Sequence, residues 1–399
     1  MGDKTEREYQ KTHPWLTFKI PLERASAKLW TLLGEAYSKC EHIAGVPLSP
    51  DIAQYLHRTY LVKGALASTA IEGNSLTEEQ AMKQFEGKLE LPPSKEYLAQ
   101  ELDNIIEALT MLSSKIISGE ITTVSAALIL QLNGMVLQKL ELEPHVNPGK
   151  IRNESVGVGK YKGPPAIDCE YLLKQLCDLL KPRTEDGQVF PLMMHGIIRA
   201  IVAHLYIAWI HPFGDGNGRT SRLVEFCILL LSGVPTPAVH LLSNYYNETC
   251  PEYYRQLAYA SESGGDILPF IEYALRGFVE GLAEQIKTIR AQQWTVAWRD
   301  YIQQQFKDKL SKPDIRRCRL VTDLSEFHEP TAFKDIPTLT PRLAKEYAKL
   351  DFRTLKSDLQ KLESMGLVQI VEEKARARKE IILAFLPDRH KLNPVQRLT

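Results

Sequence analysis

Residues 211–222 constrain the fold of this chain more than any other stretch. They hold a histidine, an aspartate, three glycines and two arginines, and apolar runs precede them (192–210) and follow them (223–231). The apolar periodicity of both runs predicts two buried helices. The polar residues must therefore lie in a tight loop between the helices, at the N-terminus of the second one.

The composition of this loop is typical of an anion site. Gly216 and Gly218 lack a Cβ, so the backbone can adopt a positive φ and approach a ligand closely. The amides and the dipole of a helix N-terminus favour negative charge. Arg219 and Arg222 lie three positions apart and add positive charge to one helix face. The stretch therefore predicts a cradle for more than one phosphate.

Two further side chains of the loop have a chemical use. A polyphosphate brings a divalent cation, and Mg²⁺ in proteins takes one or two carboxylates together with substrate phosphates. Asp215 is therefore the candidate metal ligand, and His211 is the group that can accept a proton near neutral pH. The alternative is a Gly-rich helix start with a hydrogen-bonded histidine.

The loop resembles the Fic family motif His-x-Phe-x-Asp-Gly-Asn-Gly-Arg-x-x-Arg, and every defined position is present. The resemblance implies a mainly α fold, a Fic-type helical bundle with a β-hairpin flap. It also implies a protein adenylyltransferase that moves AMP from ATP, with Mg²⁺, to a Ser, Thr or Tyr hydroxyl of a target protein. The related Doc branch, which acts as a kinase, has Ala-Asn-Lys at positions 216–218, so the glycines here favour AMP transfer.

The resemblance also assigns site residues. His211 is the catalytic base and Asp215 binds the metal. Paired tyrosines at helical spacing are typical of a core, but the resemblance places Tyr253 or Tyr254 against the adenine. The full set of implied nucleotide contacts is Glu72, Val156, Gly157, Val158, Gly159, Gly216, Asn217, Gly218, Arg219, Thr220, Ser221, Arg222, Tyr253 and Tyr254.

A second motif lies upstream, at the end of a helix predicted to start with Asp51 as its N-cap and to run through Glu72. Gly73 supplies the helix stop. Alone, a glutamate in the last turn is typically solvated. Beside the catalytic loop, Ser68-x-x-x-Glu72-Gly73 resembles the inhibitory Ser/Thr-x-x-x-Glu-Gly/Asn motif of the second Fic class, in which inhibitor and enzyme share one chain. The resemblance implies that Glu72 pairs with Arg222 and inhibits the enzyme.

A β-hairpin is predicted between these motifs, because residues 148–165 mix β-formers with glycines between prolines. It is either an ordinary surface hairpin or, as the resemblance implies, the flap at 151–163. The edge of such a flap pairs with an extended segment of the target protein by β-augmentation. The chain itself is a further expected target, by self-modification.

Other local signals predict helix boundaries. Thr77 and Gln80 form a capping box, and Thr122-Thr123 opens another helix. The last helix of the catalytic part is predicted from Leu268 to about Ile289. The expected domains are an N-terminal helical region with the inhibitory helix (1–110), a Fic catalytic core (111–290) and a winged-helix domain (300–399).

The tail at 300–399 differs in character from the rest, with 20 lysines and arginines against 15 acidic residues. Helices are predicted over 343–348 and 353–365, and strands over 368–372 and 380–385 around the charged run 374–379. This order resembles a winged helix, whose recognition helix can enter the major groove of DNA. Arg353 and Lys356 would then contact phosphates. The small charge excess leaves open a module that binds protein or forms a homodimer.

Composition excludes several other classes of protein. The 399 residues suffice for two or three domains, and lysine plus arginine equals aspartate plus glutamate at 49 each. No global field therefore steers the chain to nucleic acid or membrane. The charged start predicts no signal peptide, and no apolar run is expected to reach the length of a membrane span. The six scattered cysteines indicate free thiols in a cytoplasmic protein.

Two alternatives to AMP transfer remain open at this point. Glu72 could position a water that removes AMP from a modified target, which would make the chain a de-AMPylating hydrolase. The chain could also be a DNA-binding transcription regulator whose Fic part only senses nucleotide. The sequence identifies neither the target protein nor the oligomeric state.

Overall fold

The computed structural model describes residues 7–48, 50–159, 161–181, 190–327 and 329–382, except for the side chain of Val158. The chain divides into two compact units, Met1–Ile286 and Lys287–Thr399. The predicted fold class, mainly α with a β-hairpin, is confirmed. The finer domain boundaries at 110 and 300 stay predictions.

The first unit is built from helices and one short hairpin. Its helices are α1 (Glu8–Thr12), α2 (Ala27–Ala44), α3 (Pro50–Ala70), α4 (Glu78–Phe85), α5 (Glu96–Ile117), α6 (Ala126–Val136), α7 (Cys169–Leu180), α8 (Leu192–Ile210), α9 (Asn217–Leu231), α10 (Leu241–Glu248), α11 (Cys250–Glu262) and the start of α12 (Leu268–Phe306). Its strands are β1 (Gly157–Val158) and β2 (Tyr161–Lys162).

The core of the first unit lies around α8 and α9, which pack against each other. α8 is apolar on all sides, and a helix of that kind has to be buried. It is 19 residues long and contains an 18-residue window with a mean hydropathy of 1.5, enough by length and composition to cross a membrane, and 83% of that window is buried in the fold. The expectation that no apolar run reaches that length was therefore wrong, because the core helix itself does. α3, α5 and α6 contact α9 from the other sides.

The predicted ends of α3 need correction. The helix begins with Pro50, so Asp51 lies in the first turn and is not the N-cap; proline is suited to that position because its fixed φ fits a helix start. The helix ends at Ala70, before Glu72, and Gly73 follows in the left-handed region with φ 99°. Glu72 therefore lies in a turn and not in the last helical turn.

Other boundary predictions had mixed outcomes. The Thr77 capping box is confirmed, because the backbone N–H of Gln80 donates to Thr77 Oγ1 over 3.2 Å. The α6 N-cap is Ser125, not the Thr122-Thr123 pair, since Ser125 Oγ accepts from the backbone of Leu128.

The end of α12 was also predicted wrongly. The helix continues past Ile289 to Phe306 because residues 290–306 contain neither glycine nor proline. Trp298, Ile302 and Phe306 recur every fourth position and are buried in the core of the second unit. That spacing is the signature of one continuous helix face.

The flap is shorter than its sequence predicted. Gly157 pairs with Lys162 and Val158 with Tyr161 in an antiparallel hairpin, and Gly159 takes a positive φ of 57° in the turn. Lys160 lies outside the described residues. Residues 151–156 carry no strand, so the hairpin occupies only the tip of the predicted segment.

The second unit combines helices with a small sheet. It contains α13 (Lys312–Leu324), β3 (Thr331–Ala332), α14 (Pro341–Tyr347), α15 (Phe352–Ser364), β4 (Val368–Val371) and β5 (Lys374–Ala377), with strand order β3-β5-β4. The sequence analysis predicted neither α13 nor β3. That this unit is a winged helix, and that it binds DNA, stay predictions.

The charged run 374–379 was predicted wrongly as a loop between strands. Its first part is β5, because Ala375 and Ala377 face the core while Lys374 and Arg376 alternate with them. The β4–β5 turn is made by Glu372 and Glu373, both with positive φ. Residues 379–382 form a 3₁₀ helix in place of the start of the strand predicted at 380–385, and residues 383–385 lie outside the described part.

Candidate active site

His211 ends α8 and turns the chain into the loop. It has a left-handed backbone (φ 47°, ψ 58°), and its N–H donates to the Ile207 carbonyl over 2.9 Å. The ring nitrogen Nδ1 lies 3.3 Å from the Ala208 carbonyl. Because a carbonyl only accepts, Nδ1 carries the proton and Nε2 keeps its lone pair. Burial, the largest influence, lowers the His211 pKa below 6.5, so the neutral imidazole can act as a base at neutral pH.

Arg152 connects this loop to the base of the flap through hydrogen bonds. Its Nε donates to the His211 carbonyl over 2.7 Å, and its own backbone N–H donates to the Pro212 carbonyl over 2.9 Å. Its Nη atoms reach the carbonyls of Glu154 and Pro164, each over 2.6 Å. His211 and the hairpin are therefore held by one buried guanidinium.

Two asparagines shape the rest of the loop. Asn217 accepts from the backbone N–H of Phe213 over 3.0 Å and donates to the Phe213 carbonyl over 2.9 Å. Asn133, from α6, donates to the Asp215 carbonyl over 2.9 Å. Gly216 has φ 75°, and a Cβ there would lie 3.1 Å from Asn133 Nδ2. The backbone is thereby fixed in the conformation that begins α9.

The two hydroxyl side chains in the first turn of α9 are buried and hydrogen-bonded within the fold. Thr220 and Ser221 are fully buried. Ser221 Oγ donates to the Gly218 carbonyl over 2.7 Å, and the Asn133 amide donates to Thr220 Oγ1 over 3.4 Å. These two hydroxyls are therefore used within the fold, whereas the first backbone amides of a helix have no partner within the helix and are available to a ligand.

Arg219 is held by two carboxylates. Its Nη1 lies 3.0 Å from Glu101 Oε1, and its Nη2 lies 3.3 Å from Asp215 Oδ1. The Arg219 side chain is 7% exposed and that of Asp215 is 49% exposed. Asp215 thus keeps an accessible oxygen face at the loop.

Arg222 is held by the second motif, as the sequence predicted. Its Nε donates to Ser68 Oγ over 3.0 Å, and its Nη2 donates to the Ser68 carbonyl and to Glu72 Oε1, both over 2.7 Å. Glu72 also lies against Gly218, where an added Cβ would overlap Oε1. Burial alone would raise the Glu72 pKa, but the Arg222 guanidinium outweighs it and the pKa is lowered.

Arg219 and Arg222 each have one buried side-chain nitrogen that can still donate a hydrogen bond. Among the described residues, Nε of Arg219 and Nη1 of Arg222 are buried without a hydrogen-bond partner. Unpaired buried donors are costly unless something satisfies them. An anion at the start of α9 would do so.

The two predicted tyrosines lie in different environments. Tyr253 is 3% exposed, its hydroxyl lies 2.9 Å from His204 Nε2, and its ring stacks on Tyr246. Tyr254 is 43% exposed, and its hydroxyl donates to the Ile71 carbonyl over 3.1 Å. Of the pair, Tyr254 has the ring surface that a ligand can reach.

The flap residues predicted to contact nucleotide lie beside the loop. Gly163, at the end of the hairpin, donates to the Val156 carbonyl over 3.0 Å. A Cβ at Gly163 would lie 3.5 Å from the Cβ of His211. Contact of Val156, Gly157, Val158 and Gly159 with a nucleotide stays a prediction.

Sequence reasoning missed Asn133, Arg152 and Glu101. Asn133 had a signal, since an asparagine within an apolar helix pattern requires a buried partner. Arg152 and Glu101 had none, because their partners lie 59 and 118 positions away in the chain.

Comparison with known proteins identifies the family of one part of the chain. Residues 123–229 match the sequence model of the Fic/DOC family. The chain contains a Fic/DOC family domain. "Protein adenylyltransferase fic-1" of Caenorhabditis briggsae is 32% identical over 228 residues, 57% of this chain and 41% of that protein. "Protein adenylyltransferase Fic" of Nematostella vectensis is 30% identical over 213 residues, 52% of this chain and 45% of that protein. This chain thus spans less than half the length of these relatives.

Solved structures show the same fold. A Fic family protein from Desulfovibrio desulfuricans G20 superposes with a TM-score of 0.54 at 20% identity, covering 90% of this chain and 98% of that one, which supports the fold alone. Fic-1 from Caenorhabditis elegans (residues 134–508) superposes with a TM-score of 0.53 at 27% identity, covering 66% of this chain and 73% of that one. The Fic domain is therefore supported by both sequence and architecture.

Proposed function

We propose that this Fic protein is a protein adenylyltransferase that moves AMP from ATP to a hydroxyl of a target protein. The observation that carries the proposal is one loop that brings together a neutral imidazole, free helix N-terminal amides and two buried arginines, Arg219 and Arg222. The names of the relatives support an AMP-transferring enzyme.

The reaction follows from the roles of these groups. His211 Nε2 accepts the proton of the target hydroxyl, whose oxygen bonds to the α-phosphorus of ATP as the bond to pyrophosphate breaks. The amides at the start of α9, with Arg219 and Arg222, hold the phosphates and the departing charge. Phosphoryl transfer depends mostly on such positioning and charge stabilisation.

Asp215 suits a magnesium ion that arrives with the nucleotide. Its carboxylate is half exposed at the loop, and the described residues contain no cluster of three His, Cys, Asp or Glu side chains that could hold a metal alone. Mg²⁺ usually combines one or two carboxylates with substrate phosphates. When bound, the ion would neutralise phosphate charge, and Asp215 would hold it.

The flap would align the target segment by its backbone. The β2 strand is already fastened on one side, since His13 Nε2 lies 2.8 Å from the Lys162 carbonyl. An extended target segment would therefore pair with backbone groups of the hairpin that remain open, which constrains the target's conformation more than its sequence.

Inhibition by Glu72 is part of the proposal. Its carboxylate pairs with Arg222 and lies where a Cβ on Gly218 would be. The γ-phosphate of ATP would need the same arginine and the same space. A carboxylate about 4 Å from a phosphate charge costs on the order of 4 kcal/mol at an effective dielectric of 20. If that cost fell wholly on the barrier, it would slow transfer roughly a thousandfold.

Labelled ATP tests the activity. Purified Glu72→Gly protein, incubated with cell lysate, should incorporate label from the α-phosphate and none from the γ-phosphate, and mass spectrometry should locate AMP on hydroxyl side chains. His211→Ala in the same background should lower incorporation by about 10²–10⁴-fold while ATP binding persists. Incorporation from the γ-phosphate, or more than a tenth of the rate without His211, would contradict the proposal.

Removal of AMP is a second candidate reaction at the same site. The Glu72 side chain is 32% exposed, so one face of the carboxylate can reach a water beside the loop. With an AMP-modified target and no ATP, wild type should then release AMP and Glu72→Gln should not. Release by both proteins would exclude Glu72 from that reaction.

A further inference from the structure

We propose that Tyr254 is a positioning residue for the inhibitory glutamate, because its hydroxyl holds the turn that carries Glu72. The inference rests on the proposed function and extends it to residues outside both motifs. Tyr254 lies on α11, 183 positions after Ile71 in the chain.

The contact is made to a carbonyl that the helix leaves open. Past the end of α3, the N–H groups of Glu72 and Asn74 both donate to the Thr69 carbonyl, over 3.0 and 3.2 Å. The Ile71 carbonyl lies beyond the last helical bond and needs another donor. The Tyr254 hydroxyl supplies that donor over 3.1 Å.

The position of this carbonyl decides where the carboxylate points. Ile71 directly precedes Glu72, so a rotation of their shared peptide would shift the Glu72 side chain relative to Arg222. The bond from the Glu72 N–H to Thr69 opposes that rotation on one side of the peptide, and the Tyr254 hydroxyl opposes it on the other. Its pKa is raised, mainly by burial and also by the nearby Glu72 charge, so the hydroxyl keeps the proton that it donates.

The ring of Tyr254 packs against a buried aromatic side chain. Its ring lies against that of Tyr253, with 5.2 Å between the centroids. Tyr253 is in turn fixed by His204 and Tyr246 in the core. The hydroxyl therefore has a defined position from which to hold the turn.

The other end of the turn is fastened separately. The Asn74 side chain donates to Glu101 Oε2 and to the Leu98 carbonyl, each over 2.9 Å, and it is buried. The turn is thus held at both ends, by α5 within the core and by Tyr254 at the more exposed side. Loss of the Tyr254 hydroxyl should free the end that bears Glu72.

Tyr254→Phe tests this, since it keeps the ring and removes only the hydroxyl. In the otherwise wild-type chain, AMP incorporation should rise about fivefold, the factor that corresponds to one hydrogen bond of about 1 kcal/mol. In the Glu72→Gly background the same change should give no further rise. Tyr259→Phe, an exposed tyrosine on the same helix, is the control and should change neither.

Two results would overturn the inference. An equal effect in both backgrounds would mean that Tyr254 acts on the nucleotide and not on Glu72, and an unchanged wild-type rate would mean that its hydroxyl restrains nothing. Hydrogen exchange gives a readout independent of activity: amides 71–74 should exchange faster in Tyr254→Phe than in wild type or Tyr259→Phe. If Glu72→Gly itself transfers no AMP, the proposed function fails, and unaltered exchange would still decide against Tyr254.

Discussion

Arg219 and Arg222 lie one turn apart on α9 and are both buried, yet carboxylates from different regions hold them. Arg219 pairs with Glu101 from the second turn of α5 and with Asp215 of the loop. Arg222 pairs with Glu72, from a turn just past the end of a helix. One arginine is paired with a helix of the scaffold, and the other is paired with a turn between two helices.

The contrast lies in what holds each carboxylate. Glu101 bonds to Arg219 through one oxygen and to Asn74 through the other. Glu72 has its bond to Arg222, and its position depends on the turn around it. Removing the two glutamates should therefore change the activity in opposite directions.

A large loss is expected at Asp215, which pairs with Arg219 and not with Arg222 among the described ion pairs. Asp215→Ala in the Glu72→Gly background should lower AMP transfer by at least about 10–100-fold, which is the usual cost of losing even an indirect partner of a metal ligand, and should abolish the response to Mg²⁺. A titration of metal against rate measures both. Asp215→Asn, which can still accept from the Gly216 amide, separates loss of the metal from collapse of the loop. An unchanged metal response would rule out Asp215 as the ligand.

A smaller loss is expected at Glu101. Glu101→Gln in the Glu72→Gly background removes the charge that orients Arg219, and transfer should fall roughly tenfold, the value of one charge-assisted hydrogen bond. The loss should appear as a higher KM for ATP. Glu107→Gln, at an exposed position of the same helix, is the matched control. A rise in activity would show that Glu101 inhibits as Glu72 does and would remove the distinction between the two arginines.

The smallest effect is expected from pH. The Glu72 pKa lies below its ordinary 4.5, since the Arg222 pair outweighs burial. A carboxylate whose pKa falls on folding contributes its stabilisation at every pH above the unfolded value and loses it only as the pH drops through the folded value. The ratio of AMP incorporation between Glu72→Gly and wild type should therefore stay constant between about pH 6 and pH 8. A ratio that changed severalfold in that window would contradict the ion pair.

The parts that the sequence predicted best depend on local pattern. Apolar periodicity predicted α8 and α9, and the spacing of the glycines predicted the tight loop between them. The capping box at Thr77 was also readable, because its partners are three positions apart. In each case the interacting residues are neighbours in the chain.

The features that the sequence did not predict depend on contacts between distant segments, or lie where charged residues obscure the alternation of a strand. Arg152 reaches His211 across 59 positions, and Tyr254 reaches Ile71 across 183. In β5 one lysine and one arginine concealed a strand alternation whose alanines face the core. Beyond Ile289 the sequence has no stop signal, and α12 continues.

We propose that Glu72 restrains an otherwise competent site by occupying Arg222. The direct measurement is incorporation of labelled AMP at fixed Mg·ATP by wild type, Glu72→Gly, and Glu72→Gly with His211→Ala. Glu72→Gly should exceed wild type by at least about tenfold, part of the roughly thousandfold that the charge repulsion allows, and the double variant should be silent. Equal rates for wild type and Glu72→Gly would contradict the account, because the pair between Glu72 and Arg222 would then have no consequence for AMP transfer.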